Sequence, residues 1–162
     1  MTENQTPGSS LALVIDDDVN VRRSIRELLE SRGYDVVHAS NGLAGLELIQ
    51  RLPSSFGLVL VELDVRGLPG AVVVETLRIF RPDLPVMCMS GRRVVALPSG
   101  CLRKPIEPEE LDQLMRSVRN PAAGWELGAD EGSIAVARAR YAEGADLVGA
   151  ALELSKGLPG NE

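Results

Sequence analysis

The stretch that most constrains this chain is Leu11-Ala12-Leu13-Val14-Ile15-Asp16-Asp17-Asp18, a short apolar run that stops at three carboxylates. An apolar run bounded this sharply reads as a strand buried on both faces, and so as part of a parallel sheet. Open α/β sheets bind ligands outside the carboxyl ends of their strands, where the strand order reverses. Carboxylates at such an end suit a hard cation, because Mg2+ takes oxygen ligands and is commonly held by one or two carboxylates and a phosphate. The rest of the chain can be searched for the remaining parts of a phosphate-and-metal site.

Strand-like and helix-like patterns alternate downstream. Val19 to Arg32 places Val21, Ile25, Leu28 and Leu29 on one helical stripe, and Gly33 closes it. Tyr34 to Ala39 reads as a second strand, and Asn41-Gly42 opens a helix through Leu43, Leu46, Leu48 and Ile49 that stops at Pro53. A third buried strand, Gly57 to Glu62, again ends in an acid; a loop through Gly67, Pro69 and Gly70 leads to a helix from Ala71 to Phe80. Pro85 to Ser90 is a fourth strand ending in a hydroxyl, and Cys101 to Pro105 a fifth ending in a lysine. Glu107-Pro108-Glu109-Glu110 opens a helix to about Arg119, with acids in the first turn where the helix dipole favours them. This order predicts a doubly wound α/β domain over residues 11–119 with five parallel strands and right-handed crossovers. Residues 1–10 read as a disordered lead.

With 162 residues, 44% apolar and only 3% aromatic, the core must be built from Leu, Val, Ile and Ala. The formal charge of −6 and the absence of a basic run argue against nucleic acid as a partner. No apolar stretch reaches membrane length and no signal pattern opens the chain, so a cytoplasmic protein without a membrane partner is expected. Cys88 and Cys101 lack metal-ligand spacing and read as reduced core residues.

The predicted strand ends carry Asp16 and Asp17, Glu62, Ser90 and Lys104. Two acids for a metal, a third acid, a hydroxyl and an ammonium are the parts phosphoryl transfer needs: cations to neutralise the phosphoryl oxygens and a donor to hold one of them. In this combination, with the Gly-Tyr-x-Val-x-x-Ala-x-x-Gly run from Gly33 to Gly42, Ser90-Gly91 and Lys104-Pro105, the sequence resembles the receiver domain of two-component response regulators. The resemblance implies the flavodoxin-like receiver fold, Mg2+ as cofactor, and a histidine kinase or downstream effector as partner. It implies Asp16 and Asp17, with Glu62, as metal ligands, Ser90 as the switch hydroxyl, Lys104 as the phosphate-contacting lysine, and Pro105 as a candidate cis-proline.

The departures from that pattern point to altered chemistry. The family's phosphoacceptor aspartate precedes a Gly by eight residues and a Pro by four; counted from Gly70, these positions hold Glu62 and Arg66. The extra methylene of glutamate moves the carboxylate by about 1.5 Å, and a misplacement near 1 Å can cost ~10²-fold in rate. Glu62 is therefore expected to be a poor acceptor, with an arm long enough to approach Ser90 or Lys104 and resemble an occupied, activated state. Asp64, on the same side of an extended chain, is the alternative acceptor. Between the fourth and fifth strands, Gly91 to Gly100 with Pro98 leaves space for only one or two helical turns where the family has a full fourth helix.

Beyond a linker at residues 120–132, a single helix is expected over 133–157, capped by Ser133 and stopped by Gly157, with a short tail at 158–162. Its stripe of Ile134, Ala137, Tyr141, Val148, Ala151 and Leu152 is interrupted by Gly144. It requires a covering surface: the receiver at the place of the missing fourth helix, a second copy in a homodimer, or another protein. Trp125 and Tyr141 are the candidate docking anchors. His38 reads as an ordinary strand residue.

The reading is an atypical receiver that signals by protein contact with weak or no phosphorylation, and is not an enzyme. The alternatives are a working phospho-receiver and a haloacid-dehalogenase-like phosphatase, whose Asp-x-Asp would be Asp16 and Asp18.

Overall fold

The computed structural model describes residues 10–91, 100–117 and 129–158. Five strands, β1 (Leu11–Ile15), β2 (Asp35–Ala39), β3 (Phe56–Glu62), β4 (Val86–Ser90) and β5 (Cys101–Arg103), alternate with α1 (Val19–Glu30), α2 (Gly42–Arg51), α3 (Gly70–Phe80) and α4 (Pro108–Ser117). They form one sheet in the order β2-β1-β3-β4-β5 with parallel pairing throughout. The order reverses between β1 and β3, so the carboxyl ends of these two strands flank the crevice where ligands of such sheets bind.

The alternation of side chains along each strand divides the core in two. Leu13, Ile15, Val59, Val61 and Cys88 face α2 and α3 with Leu46, Ile49, Val73 and Leu77. Ala12, Val14, Leu58, Leu60, Met87 and Met89 face the other way, onto Ile25 and Leu29 of α1 and Leu111 of α4. Burial on both faces is why these strands read as continuous apolar runs. The helix ends follow local chemistry. Asp18 caps α1 by accepting from the Asn20 and Val21 amides, Asn41 caps α2 through the Ala44 amide, and Gly33 turns the chain at φ +87°.

One expectation is corrected. The C-terminal segment is not a single helix over 133–157 but two, α5 (Glu131–Gly144) and α6 (Leu147–Lys156). Gly144 weakens the helix, Ala145 takes the left-handed conformation at φ 55°, and its amide closes onto the Tyr141 carbonyl. Asp146 then restarts the chain as an N-cap, its carboxylate accepting from the Gly149 amide at 2.8 Å. A Cβ at Gly149 would collide with that carboxylate. The cap of α5 is Asp130 rather than Ser133: its Oδ1 accepts from the Ser133 amide and its Oδ2 from the Ser133 hydroxyl.

The α5–α6 hairpin lies against α2 and α3 of the same chain. Leu147 and Ala151 enter the core on that side, with Tyr141 and Val148 packed beside them. The Val148 amide donates to Gln50 Oε1 of α2 at 3.4 Å, and the rings of Phe80 on α3 and Tyr141 on α5 stack with centroids 4.7 Å apart. The stripe that needed a cover is thus covered in cis across α2 and α3, save for Leu152, which is exposed. Of the expected lead at 1–10, the short segment at 91–100 and the linker at 120–132, residues 1–9, 92–99 and 120–128 with Trp125 lie outside the described residues, and the last two linker residues belong to α5. No helix among the described residues is long and apolar enough to cross a membrane.

Candidate functional site at the carboxyl ends of β1, β3, β4 and β5

Register assembles the site. Ile15 pairs with Val61, Glu62 with Met89, and Ser90 with Arg103, so the next residues along β1 and β5, Asp16 and Lys104, arrive at one end of the sheet beside Glu62 and Ser90. Asp16, Glu62 and Ser90 are buried, at 0%, 5% and 3% exposure. The Lys104 amide donates to the Ser90 carbonyl at 2.9 Å, tying the two strand ends together. The Lys104-Pro105 peptide bond is cis.

Lys104 Nζ is the hub. It donates to Asp16 Oδ2 at 2.6 Å and forms an ion pair with Glu62 Oε2. The second pairing is electrostatic rather than directional, since Glu62 Oε2 accepts no hydrogen bond of good geometry among the described residues. Burial pulls the Lys104 pKa down, but the hydrogen bond to Asp16 and the charges of Asp16 and Glu62 outweigh it and hold the ammonium above its ordinary value of 10.5. The remaining oxygens are also engaged: Asp16 Oδ1 accepts from the Asp18 amide at 2.8 Å, and Glu62 Oε1 from the Asp64 amide at 3.2 Å. Glu62 thus reaches Lys104.

The other acids lie outside this cluster. Asp17 is turned toward solvent, its Oδ2 3.5 Å from Nε of Arg66, the residue standing where a proline was expected, a contact with no signal in the residue pattern. Asp18 is occupied in the α1 cap, so the Asp16–Asp18 pair that a phosphatase would need is not assembled. Asp64 is exposed. Tyr141 is part of the packing between the hairpin and α3.

Carboxylates of Asp16, Asp17 and Glu62 are the right donor type for Mg2+. In the arrangement described, the Lys104 ammonium faces one oxygen of Asp16 and one of Glu62, while Asp17 stands at the surface beside Arg66. Among the described residues no three His, Cys, Asp or Glu side chains are grouped to hold a metal.

The response regulator receiver domain family matches residues 12–116. The transcriptional regulatory protein CpxR homolog of Haemophilus influenzae is 35% identical over 124 residues, covering 70% of this chain and 52% of that protein. The transcriptional regulatory protein ZraR of Klebsiella oxytoca is 32% identical over 120 residues, covering 71% of this chain and 27% of that protein. The chain thus spans about half or less of the length of these relatives. Among solved structures, a response regulator receiver domain protein from Clostridium thermocellum superimposes with a TM-score of 0.57 at 25% identity, covering 65% of this chain and 90% of that one. Sheet order, strand-end residues and sequence matches agree: this chain belongs to the response regulator receiver domain family of two-component signalling.

Proposed function

We propose that this receiver works as a cytoplasmic protein-contact module whose aspartyl-phosphate chemistry is weak or lost. One observation carries the reading: the carboxylate at the acceptor position belongs to Glu62, and it is ion-paired with the Lys104 ammonium. An acceptor must present a free oxygen in line with the incoming phosphorus, and here one oxygen faces the ammonium while the other accepts from the Asp64 amide. Lys104 therefore does to Glu62 what it would do to a phosphoryl oxygen, which supports a constitutive state. Binding of Mg2+ at Asp16 would have to displace the Lys104 ammonium and is correspondingly weak. If Mg2+ shifts the Asp17 and Asp18 amide resonances saturably at micromolar concentration, this part of the reading fails.

The partner is a signalling protein such as a histidine kinase or an effector. The transcriptional roles printed in the names of relatives belong to longer proteins, and the acidic balance of this chain favours protein over nucleic acid. The deciding experiment is the intact mass after incubation with acetyl phosphate and Mg2+. Wild type is expected to stay unlabelled and Glu62→Asp to gain one phosphoryl group. Labelling of wild type, mapped to Glu62 or Asp64, would establish a working phospho-receiver. If neither protein is labelled, the pocket has lost more than its acceptor.

A further inference from the structure

Two thiols that the carboxylate–lysine cluster does not use face each other across β4 and β5. Cys88 and Cys101 are register partners in adjacent parallel strands, so their side chains leave the sheet on the same side. That side is the one covered by α2 and α3, and both residues belong to its apolar cluster. Neighbouring strands run about 4.8 Å apart, within the roughly 4.4–6.8 Å Cα separation that a disulfide spans. Both thiols are free.

The pair is asymmetric in access. Cys88 is completely buried, and its Sγ lies 3.6 Å from the Gly100 carbonyl oxygen. Cys101 is half-buried and lines an open groove at the edge of β5 with Leu102, Glu110, Gln113 and Leu114. The neighbouring Cys101 thiol, together with burial, raises the Cys88 pKa well beyond the ordinary thiol range. Cys88 therefore keeps its proton, and Cys101 is the sulfur a solution reagent meets first.

We propose that Cys88 and Cys101 are a modification site that closes to a reversible intrachain disulfide by exchange with a low-molecular-weight disulfide. The Cys101 thiolate attacks one sulfur of the reagent, forming a mixed disulfide and releasing the first small thiolate. The Cys88 sulfur then attacks Cys101 Sγ, breaking the mixed disulfide; the Cys88 proton leaves with the second small thiol. The protein loses two electrons and two protons, and the reagent is reduced to two thiols. The new bond ties together the strand that ends in Ser90 and the strand that leads into Lys104, two and three residues further along. β5 has only three residues and is paired on one side, so a covalent tie there fixes the least supported strand of the sheet.

The test is native incubation of the full chain with oxidised glutathione, followed by intact mass, non-reducing peptide mapping and reversal with dithiothreitol. Wild type should lose two hydrogen masses as a monomer, with Cys88 and Cys101 in one cross-linked peptide. Hydrogen exchange should slow at Met89 and Leu102 in the oxidised form. Cys88→Ser should stop at a glutathione adduct on Cys101, and Cys101→Ser should remain unmodified. A wild-type protein that stays reduced, stops at a glutathione adduct, or dimerises through Cys101 would overturn the proposal, and that reading needs no variant to fold. Neither Glu62 nor acetyl phosphate enters the assay, so its outcome is independent of the phosphorylation reading.

Discussion

At the scale of single residues, the site is decided by one ammonium among buried carboxylates. Asp16 and Glu62 are almost inaccessible, and Lys104 supplies the charge that makes their company tolerable. Removing one member of such a cluster is costlier than the pair's net worth, because the remaining charges stay buried. Lys104→Met is expected to lower stability by about 3–5 kcal/mol, measured by urea unfolding at neutral pH. The raised Lys104 pKa adds a pH dependence with a definite sign. Its stabilising share is fully present below pH 10.5 and is lost as pH rises through the higher folded value, so alkaline unfolding should steepen above pH 10.5 in wild type and not in Lys104→Met. The exposed pairing of Arg66 with Asp17 belongs to a different class. Arg66 is 90% exposed on its side chain, and such surface pairs contribute little.

At the scale of elements, the link between site and helices runs through Gly70. α3 begins at Gly70, whose amide donates to the Leu63 carbonyl at 3.1 Å. A Cβ at this position would overlap the Glu62 carbonyl oxygen and lie 2.8 Å from the Glu62 carbonyl carbon. Backbone cannot yield as a flexible side chain can, so Gly70→Ala should cost about 3 kcal/mol or more and disturb the Glu62 amide in NMR spectra. At the far end of α3, Phe80 and Tyr141 stack across the boundary with α5. A double-mutant cycle of Phe80→Leu and Tyr141→Leu should give a coupling of about 0.5–1.5 kcal/mol, the range for aromatic pairs beyond area burial. A coupling of zero would mean that α5 does not rest on α3 in solution.

At the scale of the whole molecule, the hairpin makes the receiver and its C-terminal extension share one core. Leu147 is 2% exposed and sits in the cluster that also contains Leu46, Val73 and Leu77. Leu147→Ala should therefore cost about 2–5 kcal/mol, as deletions in a packed core do, and should lower the thermal midpoint of the receiver and hairpin together in a single transition. Separate transitions would show that the two fold as independent units. Because α6 occupies the face formed by α2 and α3, most of its apolar stripe serves the chain's own core, and Leu152 stays exposed.

The sequence by itself determined the layered α/β fold, the parallel sheet and the residues at its strand ends. These are local signals: buried runs such as Leu58 to Val61 have no other economical structure, and side-chain period fixes which face each residue takes. It also singled out Glu62, because that needed only counting back from Gly70. The approach of Glu62 to Lys104 was one of two that the sequence allowed; tertiary structure alone decided that Lys104 also closes on Asp16, that Asp17 turns out to Arg66, and that Cys88 faces Cys101. Each contact joins residues far apart in the chain or depends on rotamers, and strand register, not sequence spacing, sets their separation. The break at Ala145 was hidden for a related reason. Gly144 signalled only a weaker helix, whereas the hairpin also required Asp146 to cap a second helix and α2 and α3 to receive it.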